Sequence, residues 1–269
     1  MNKHEYAYET QLKASVRKDA LPFGKLSILG ILAGLFIALG AATSSTAAFG
    51  FTNVGLLRMI TGMVFPVGLI LIVFVGGELF TGNCLMAMGN YEKRISRFAV
   101  IKNLTLVWLT NLIGSLIAVL LVWKSANWEL GNGLLGLHTI KVAATKCSLD
   151  PVECVTSGTL CNIFVCMAIL AANASKSATG KILAIWFPIF AFALGGFEHV
   201  VANMYYIPAG YFAAQTPQFV ELAAKAGVNY SAVTLTAMCT NFFWVTIGNI
   251  IGGILFTAIP VYYIRRKSN

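Results

Sequence analysis

The sequence predicts an all-α integral membrane protein with six transmembrane helices arranged as two inverted three-helix repeats. Three observations predict it. The 269 residues are 58% hydrophobic and only 11% charged, whereas a soluble domain carries about 25% charged residues. Apolar runs of roughly 20 residues, long enough to span a bilayer as helices, occur six times, and they lack the apolar–polar alternation of barrel strands. The two halves of the chain also resemble each other in three stretches that keep the same order.

Residues 1–25 are polar and mixed in charge, which predicts an amphipathic N-terminal segment at the membrane surface and no cleavable signal peptide. The spans follow at about Leu26–Ala47, Met59–Gly89, Leu104–Trp123, Pro151–Ala172, Lys181–Ala214 and Asn241–Tyr263. They form one membrane domain over residues 26–264, followed by a basic tail at 265–269. Fourteen of the 19 Lys and Arg residues fall on the side of the termini. Five (Arg58, Lys124, Lys141, Lys146 and Lys225) fall on the other. The positive-inside rule therefore puts both termini in the cytoplasm, in a multi-pass protein of the cell membrane. That bias accounts for the net charge of +9, leaving no reason to invoke nucleic acid. The six Cys are scattered, and only Cys147 and Cys154, in one outer loop, are placed to pair.

The internal matches explain the longer runs. "GILAGLFIALG" from Gly30 resembles "GTLCNIFVCMA" from Gly158, "FVGGELFTGN" from Phe74 resembles "LGGFEHVVAN" from Leu194, and "TNLIGSLIAVL" from Thr110 resembles "GNIIGGILFTAI" from Gly248. With three spans per half, the second half sits upside down relative to the first. The second and fifth runs exceed one span, and each carries a glycine pair, Gly76–Gly77 and Gly195–Gly196. Glycine supplies the backbone freedom for a helix break, and a break is tolerated in a membrane only where protein or a water-filled cavity satisfies it. The half-helix N-termini created there suit an anion.

Beside the breaks stand Glu78, Glu198 and His199. His199 is the one histidine inside a span, since His4 and His138 lie in the tail and an outer loop. Intramembrane ionisable groups are functional by default. Desolvation favours the neutral imidazole and a nearby anion the charged one, so His199 can donate a hydrogen bond or share a proton with a weak acid. A carboxylate beside an anion path would repel it. Glu78 and Glu198 are therefore expected to point away and brace the breaks, through freed backbone N–H groups or through Asn249. Walker loops, metal-ligand spacings, nucleophile–base pairs and nucleotide fingerprints are absent, which argues against an enzyme, a cofactor, a metal site or an energy-coupled pump. A neutral-solute channel for water, glycerol or ammonia would carry Asn-Pro-Ala boxes, and "VANM" at Val201 lacks the proline.

"FVGGELFTG", "GTLCNIFVCMA" and "GFEHVVANM" together resemble the signature stretches of the formate/nitrite transporter family, and the likeness runs from the first span to "VTIGNIIGG" in the sixth. The resemblance implies an aquaporin-like helix arrangement, a homopentamer with one pore per subunit, and passage of formate, nitrite or hydrosulfide, with formate favoured. It implies His199 as the central pore residue, Thr81 near it with its hydroxyl in the pore, and Asn162 as a further donor. Lys146, sixteen residues before Asn162, is implied at the outer mouth, where a cation concentrates anions. Leu69, Leu79, Phe80 and Val165 would narrow the cytoplasmic side, and Phe65 and Phe192 the outer side. Tyr205 and Tyr206 sit just beyond the break, where their bulk would narrow the outer mouth. The glycines Gly248, Gly252 and Gly253 suit the close helix approach that a compact pentamer needs.

Overall fold

The computed structural model describes residues 2–265. Of the predicted basic tail, residues 266–269 lie outside the described residues. Among the described residues every regular element is helical, and six helical stretches are long and apolar enough to cross a membrane.

The chain opens with α1 (Lys3–Asp19), started by an Asn2–Glu5 capping box. The first span is α2 (Phe23–Ala48). The second runs through α3 (Val54–Val64) and α4 (Val67–Val75), breaks at Gly76, and resumes as the short α5 (Phe80–Asn83) and α6 (Met86–Tyr91). The third is α7 (Arg97–Lys124). A separate helix, α8 (Leu134–Cys147), then precedes the fourth span, α9 (Pro151–Asn173). The fifth is α10 (Ala178–Gly195), a break, and α11 (Val200–Ala213). After α12 (Pro217–Lys225), the sixth span combines α13 (Leu235–Ile250), a π-helical stretch over Ile251–Ala258, and α14 (Ile259–Arg265).

Packing follows the repeat. α2 lies along α7, and α9 lies along α13, the most extensive helix pairings in the fold. Both are glycine-mediated: a methyl on Gly34 would meet Asn111 O at 2.0 Å, and one on Gly248 would meet Val155 O at 2.4 Å. Gly252 and Gly253 are spent in the same way, against Thr159 and Asn162 of α9. The close approach expected between subunits is therefore made inside the chain.

Two elements differ from the sequence reading. α1 docks on α6 and α9 and buries Tyr8, Leu12 and Ser15. The segment read as an outer loop contains α8, which packs on α11 and matches α1 in the other repeat. The helix N-terminus at Pro151 also takes Cys154 out of the loop and buries it. Cys147 and Cys154 are both free thiols.

Candidate functional site

Each helix break turns on one glycine. Gly76 (φ 104°) and Gly196 (φ 71°) adopt positive φ, a conformation costly for a residue with a Cβ, whereas Gly77 and Gly195 do not. The freed backbone groups are satisfied by two asparagines in mirrored positions. Asn249 Oδ1 accepts from Val200 N–H at 2.9 Å, and its Nδ2 donates to Gly158 O at 2.8 Å and Glu198 O at 2.9 Å. Asn111 repeats this in the other half, accepting from Phe80 N–H at 2.9 Å and donating to Gly30 O at 2.8 Å and Glu78 O at 2.9 Å. Each asparagine thus stitches a break to two neighbouring helices.

The carboxylates do something other than the predicted bracing of backbone N–H groups, and Asn249 reaches only the backbone of Glu198. Each acid instead pairs with a lysine and an asparagine. Lys146 Nζ lies 2.7 Å from Glu198 Oε1; Glu198 Oε2 accepts from Asn203 Nδ2 at 2.6 Å; Asn203 Nδ2 also donates to Asn241 Oδ1 at 2.8 Å. Asn241 Nδ2 donates to Lys146 O at 2.9 Å and closes the loop. In the other half, Lys18 Nζ lies 2.6 Å from Glu78 Oε2 and also donates to Asn83 Oδ1. Asn83 Nδ2 donates to Glu78 at 2.8 Å and to Asn103 Oδ1 at 2.7 Å. Both acids are buried, at 3% and 5% exposure, and a buried carboxylate is tolerable because it is paired and hydrogen-bonded. Lys18, Asn83, Asn103, Asn111, Asn203 and Asn241 were not singled out by sequence reasoning. The signal was present in the quoted repeats: "GGELFTGN" and "GFEHVVAN" both place an acid five residues before Asn, and "TNLIG" and "GNIIG" share their asparagine.

His199 is the N-cap of α11 and is 2% exposed. Its Nδ1 accepts the Ala202 N–H at 3.0 Å, and its Nε2 lies 3.0 Å from Thr81 Oγ1. An amide N–H can only donate, so Nδ1 is unprotonated and the neutral ring carries its proton on Nε2. Nε2–H therefore donates to Thr81, leaving the Thr81 hydroxyl hydrogen free to point elsewhere. Phe192 stacks on the imidazole with ring centroids 6.0 Å apart, and Phe65 meets Phe192 edge-on at 5.5 Å.

Two vestibules open at the two helix breaks. The first, of about 340 Å³, is lined by Phe65, Phe192, Lys146, Glu198, Tyr206 and His199, among others. Lys146, expected at the entry to the fourth span, occupies the last turn of α8 and aims its amine at this cavity floor, 5.4 Å from the centre of the Tyr206 ring. Tyr205 is buried away from the cavity lining. The second vestibule, of about 600 Å³, opens on the side of α1 and has Leu69, Leu79, Glu78 and Lys18 in its wall. Thus Phe65 and Phe192 line the first vestibule together with His199, and Leu69 and Leu79 line the second. Phe80 lines a separate apolar groove beside Trp108 and Phe242, and Val165 is buried on α9. Asn162 sits behind Thr81, but its amide donates to the Thr81 and Asn249 carbonyls at 3.2 and 2.6 Å. Its donors are committed to holding helices together. Among the described residues no cluster of three or more His, Cys, Asp or Glu is placed to hold a metal.

The arrangement can take a small anion from water, place it beside a cation, and present it to the Thr81 hydroxyl, whose oxygen is held by the imidazole N–H. The family described as formate/nitrite transporter matches residues 4–263. A probable formate transporter of Methanothermobacter thermautotrophicus is 36% identical over 268 residues, covering 93% of this chain and 92% of that protein. Among solved structures, an ion channel of the FNT family superposes with a TM-score of 0.83 at 26% identity, covering 96% of this chain and 98% of the other. A pentameric formate channel with formate bound superposes with a TM-score of 0.78 at 28% identity, covering 90% and 97%. The matching proteins are named as transporters and channels, not enzymes.

Proposed function

This chain belongs to the formate/nitrite transporter family, and on that footing we propose that it passes small monovalent anions of weak acids, formate foremost, past Thr81 and His199. The observation that carries the reading is the 3.0 Å contact between His199 Nε2 and Thr81 Oγ1, with aromatic rings on one side and leucines on the other. The same site would admit nitrite or hydrosulfide.

The steps follow from the geometry. Lys146 and Lys18 raise the local concentration of anion at the two vestibule floors by field focusing. Each shares its charge with one glutamate, so the anion is attracted without being trapped. An apolar constriction makes an ion shed water, and a weak acid that has gained a proton crosses far more easily than its anion. At the centre, Nε2–H and the Thr81 hydroxyl form a donor chain that receives the carbonyl oxygen of the protonated substrate. Protonating His199 further would place a hydrogen on Nδ1, facing the Ala202 N–H, and would uncap α11. The ring therefore acts as a neutral donor, and the proton that accompanies the substrate comes from vestibule water.

We place both termini in the cytoplasm from the lysine and arginine bias and expect a homopentamer, as in the formate channel that this chain resembles. Lys146, Lys18, the four apolar side chains of the approach, Thr81 and His199 are the residues assigned to conduction. The test is flux of formate, nitrite, hydrosulfide and chloride through purified protein in liposomes at about one pH unit either side of the free imidazole value. Weak-acid anions should outrun chloride and move faster on the acid side. Equal flux of all four at both pH values would refute the proposal.

A further inference from the structure

The α1-side vestibule holds more positive charge than the conduction chemistry uses. Five cations line it, Lys13, Arg17, Lys18, Lys25 and Lys181, against the single acid Glu78. Glu78 is already paired with Lys18, and the other four cations form no ion pair among the described residues. The inverted repeat separates what is shared from what is not. Aligning Lys18 on Lys146 places Lys13 on Lys141, but Arg17 on Thr145 and Lys25 on Glu153; aligning Glu78 on Glu198 places Lys181 on Thr61. Thr145 and Thr61 both line the opposite vestibule. Arg17, Lys25 and Lys181 have no basic counterpart there, while the opposite vestibule adds Arg58 to Lys141 and Lys146, so five Lys and Arg side chains on the α1 side face three on the other.

We propose that this vestibule is a binding site for a multivalent phosphate- or carboxylate-bearing anion, which occupies it and closes the pathway from that side. The proposal rests on the conduction reading above. Charge bias across the membrane explains on which side these residues lie, but not their convergence from α1, the start of α2 and α10 onto one 600 Å³ cavity. Like charges lining one cavity repel each other until a counter-charge enters, and a monovalent substrate leaves most of this charge unmatched. Arg17 supplies a guanidinium fork suited to phosphate oxygens, and the lysines supply point charges around it. Leu69, Ile72 and Leu79 give the cavity an apolar wall as well. A multiply charged anion can enter but cannot shed its water to pass. It stops where the substrate must go.

The test uses the purified full-length protein, with pyrophosphate as probe and ionic strength held constant. Binding of radiolabelled pyrophosphate is measured in detergent. Formate flux is measured in phosphatidylcholine vesicles with pyrophosphate added to one face at a time. The native protein should bind pyrophosphate, and half-block from the α1 side should need at least tenfold less of it than from the other. Arg17→Gln with Lys181→Gln should raise that concentration at least tenfold and leave unblocked flux unchanged. Vesicles containing phosphatidic acid separate the sources: spontaneous block there, relieved by the same substitutions, assigns the phosphate to a lipid headgroup. Absence of binding, or block that is equal from both faces and indifferent to the substitutions, overturns the site. Binding with no formate flux in any vesicle would keep the site and overturn the conduction reading instead.

Discussion

Replacing Asn249 with alanine tests whether the break in the fifth helix is held by one side chain. The substitution removes the acceptor for the Val200 N–H and the donor to the Gly158 and Glu198 carbonyls, at 2.8–2.9 Å. Asn249 is completely buried, so water does not replace it. Gly158 O lies inside α9 and retains its helical partner, which leaves two orphans, the Val200 N–H and the Glu198 carbonyl. A buried unsatisfied group costs about 1–3 kcal/mol, so Asn249→Ala should destabilise by about 3–5 kcal/mol, taking the two orphans and the lost tie to α9 together. On the scaling for domains of this size, the melting temperature should fall by the order of 10 °C. Asn249→Asp keeps the acceptor but turns two donor contacts into carboxylate–carbonyl repulsions, and should be at least as damaging. Because Asn111 makes the mirrored set, Asn111→Ala should cost about the same. Thermal unfolding in detergent, followed by a fluorescent thiol dye or tryptophan emission, reads all three. Asn249→Ala within about 1 kcal/mol of native, or a large gap between the two alanine variants, would refute the mirrored-stitch account.

Three further outcomes follow from the same geometry. Lys146→Met strands the buried Glu198 carboxylate and should cost about 3–5 kcal/mol; adding Glu198→Gln should recover most of that, and a double variant no more stable than the single would contradict the pairing. Gly196→Ala forces a side chain into positive φ and puts its methyl 2.0 Å from the Arg58 guanidinium, so its melting temperature should fall well below that of Gly77→Ala, which meets only side chains at 3.2 Å or more. His138, on α8 outside the spans, is lowered to about 4 by burial and by Lys141, below its unfolded value. The unfolded chain then binds more protons between about pH 6.5 and 4, so this stability is fully present above that window and is lost as pH falls through it, by the order of 3 kcal/mol. His138→Gln should flatten the acid limb, and an unchanged limb would show that another group governs it.

The spans, the two breaks and the inverted repeat were legible because hydropathy and glycine pairs act locally. His199 stands out in the sequence because it is the one histidine inside a predicted span. The support network was harder to read. Lys18 looks like one of many terminal-side charges until the repeat aligns it with Lys146, and asparagines inside spans look like ordinary helix contacts. The sequence reading includes Asn249 among the supports of the breaks but assigns the freed N–H groups to the glutamates, because it counts those groups and not the lysines that fold back from α1 and α8. α1 is too polar and α8 too short to register as a span, so their docking against the bundle had no hydropathy signal. The π-helical turn at Ile251–Ala258 has no sequence mark that we recognise.

The central claim is that passage depends on the Nε2–H donor at the narrowest approach, and His199→Asn tests it most directly. Asparagine is a good N-cap, so it can keep the bond to Ala202 N–H and the start of α11 while removing the ring that reaches Thr81. The bond lost joins two neutral groups and contributes about 0.5–1.5 kcal/mol, so formate flux through reconstituted protein should fall by roughly two- to tenfold, with thermal stability close to native. Flux equal to native in that variant would mean that His199 only holds helices together, and the account would fail.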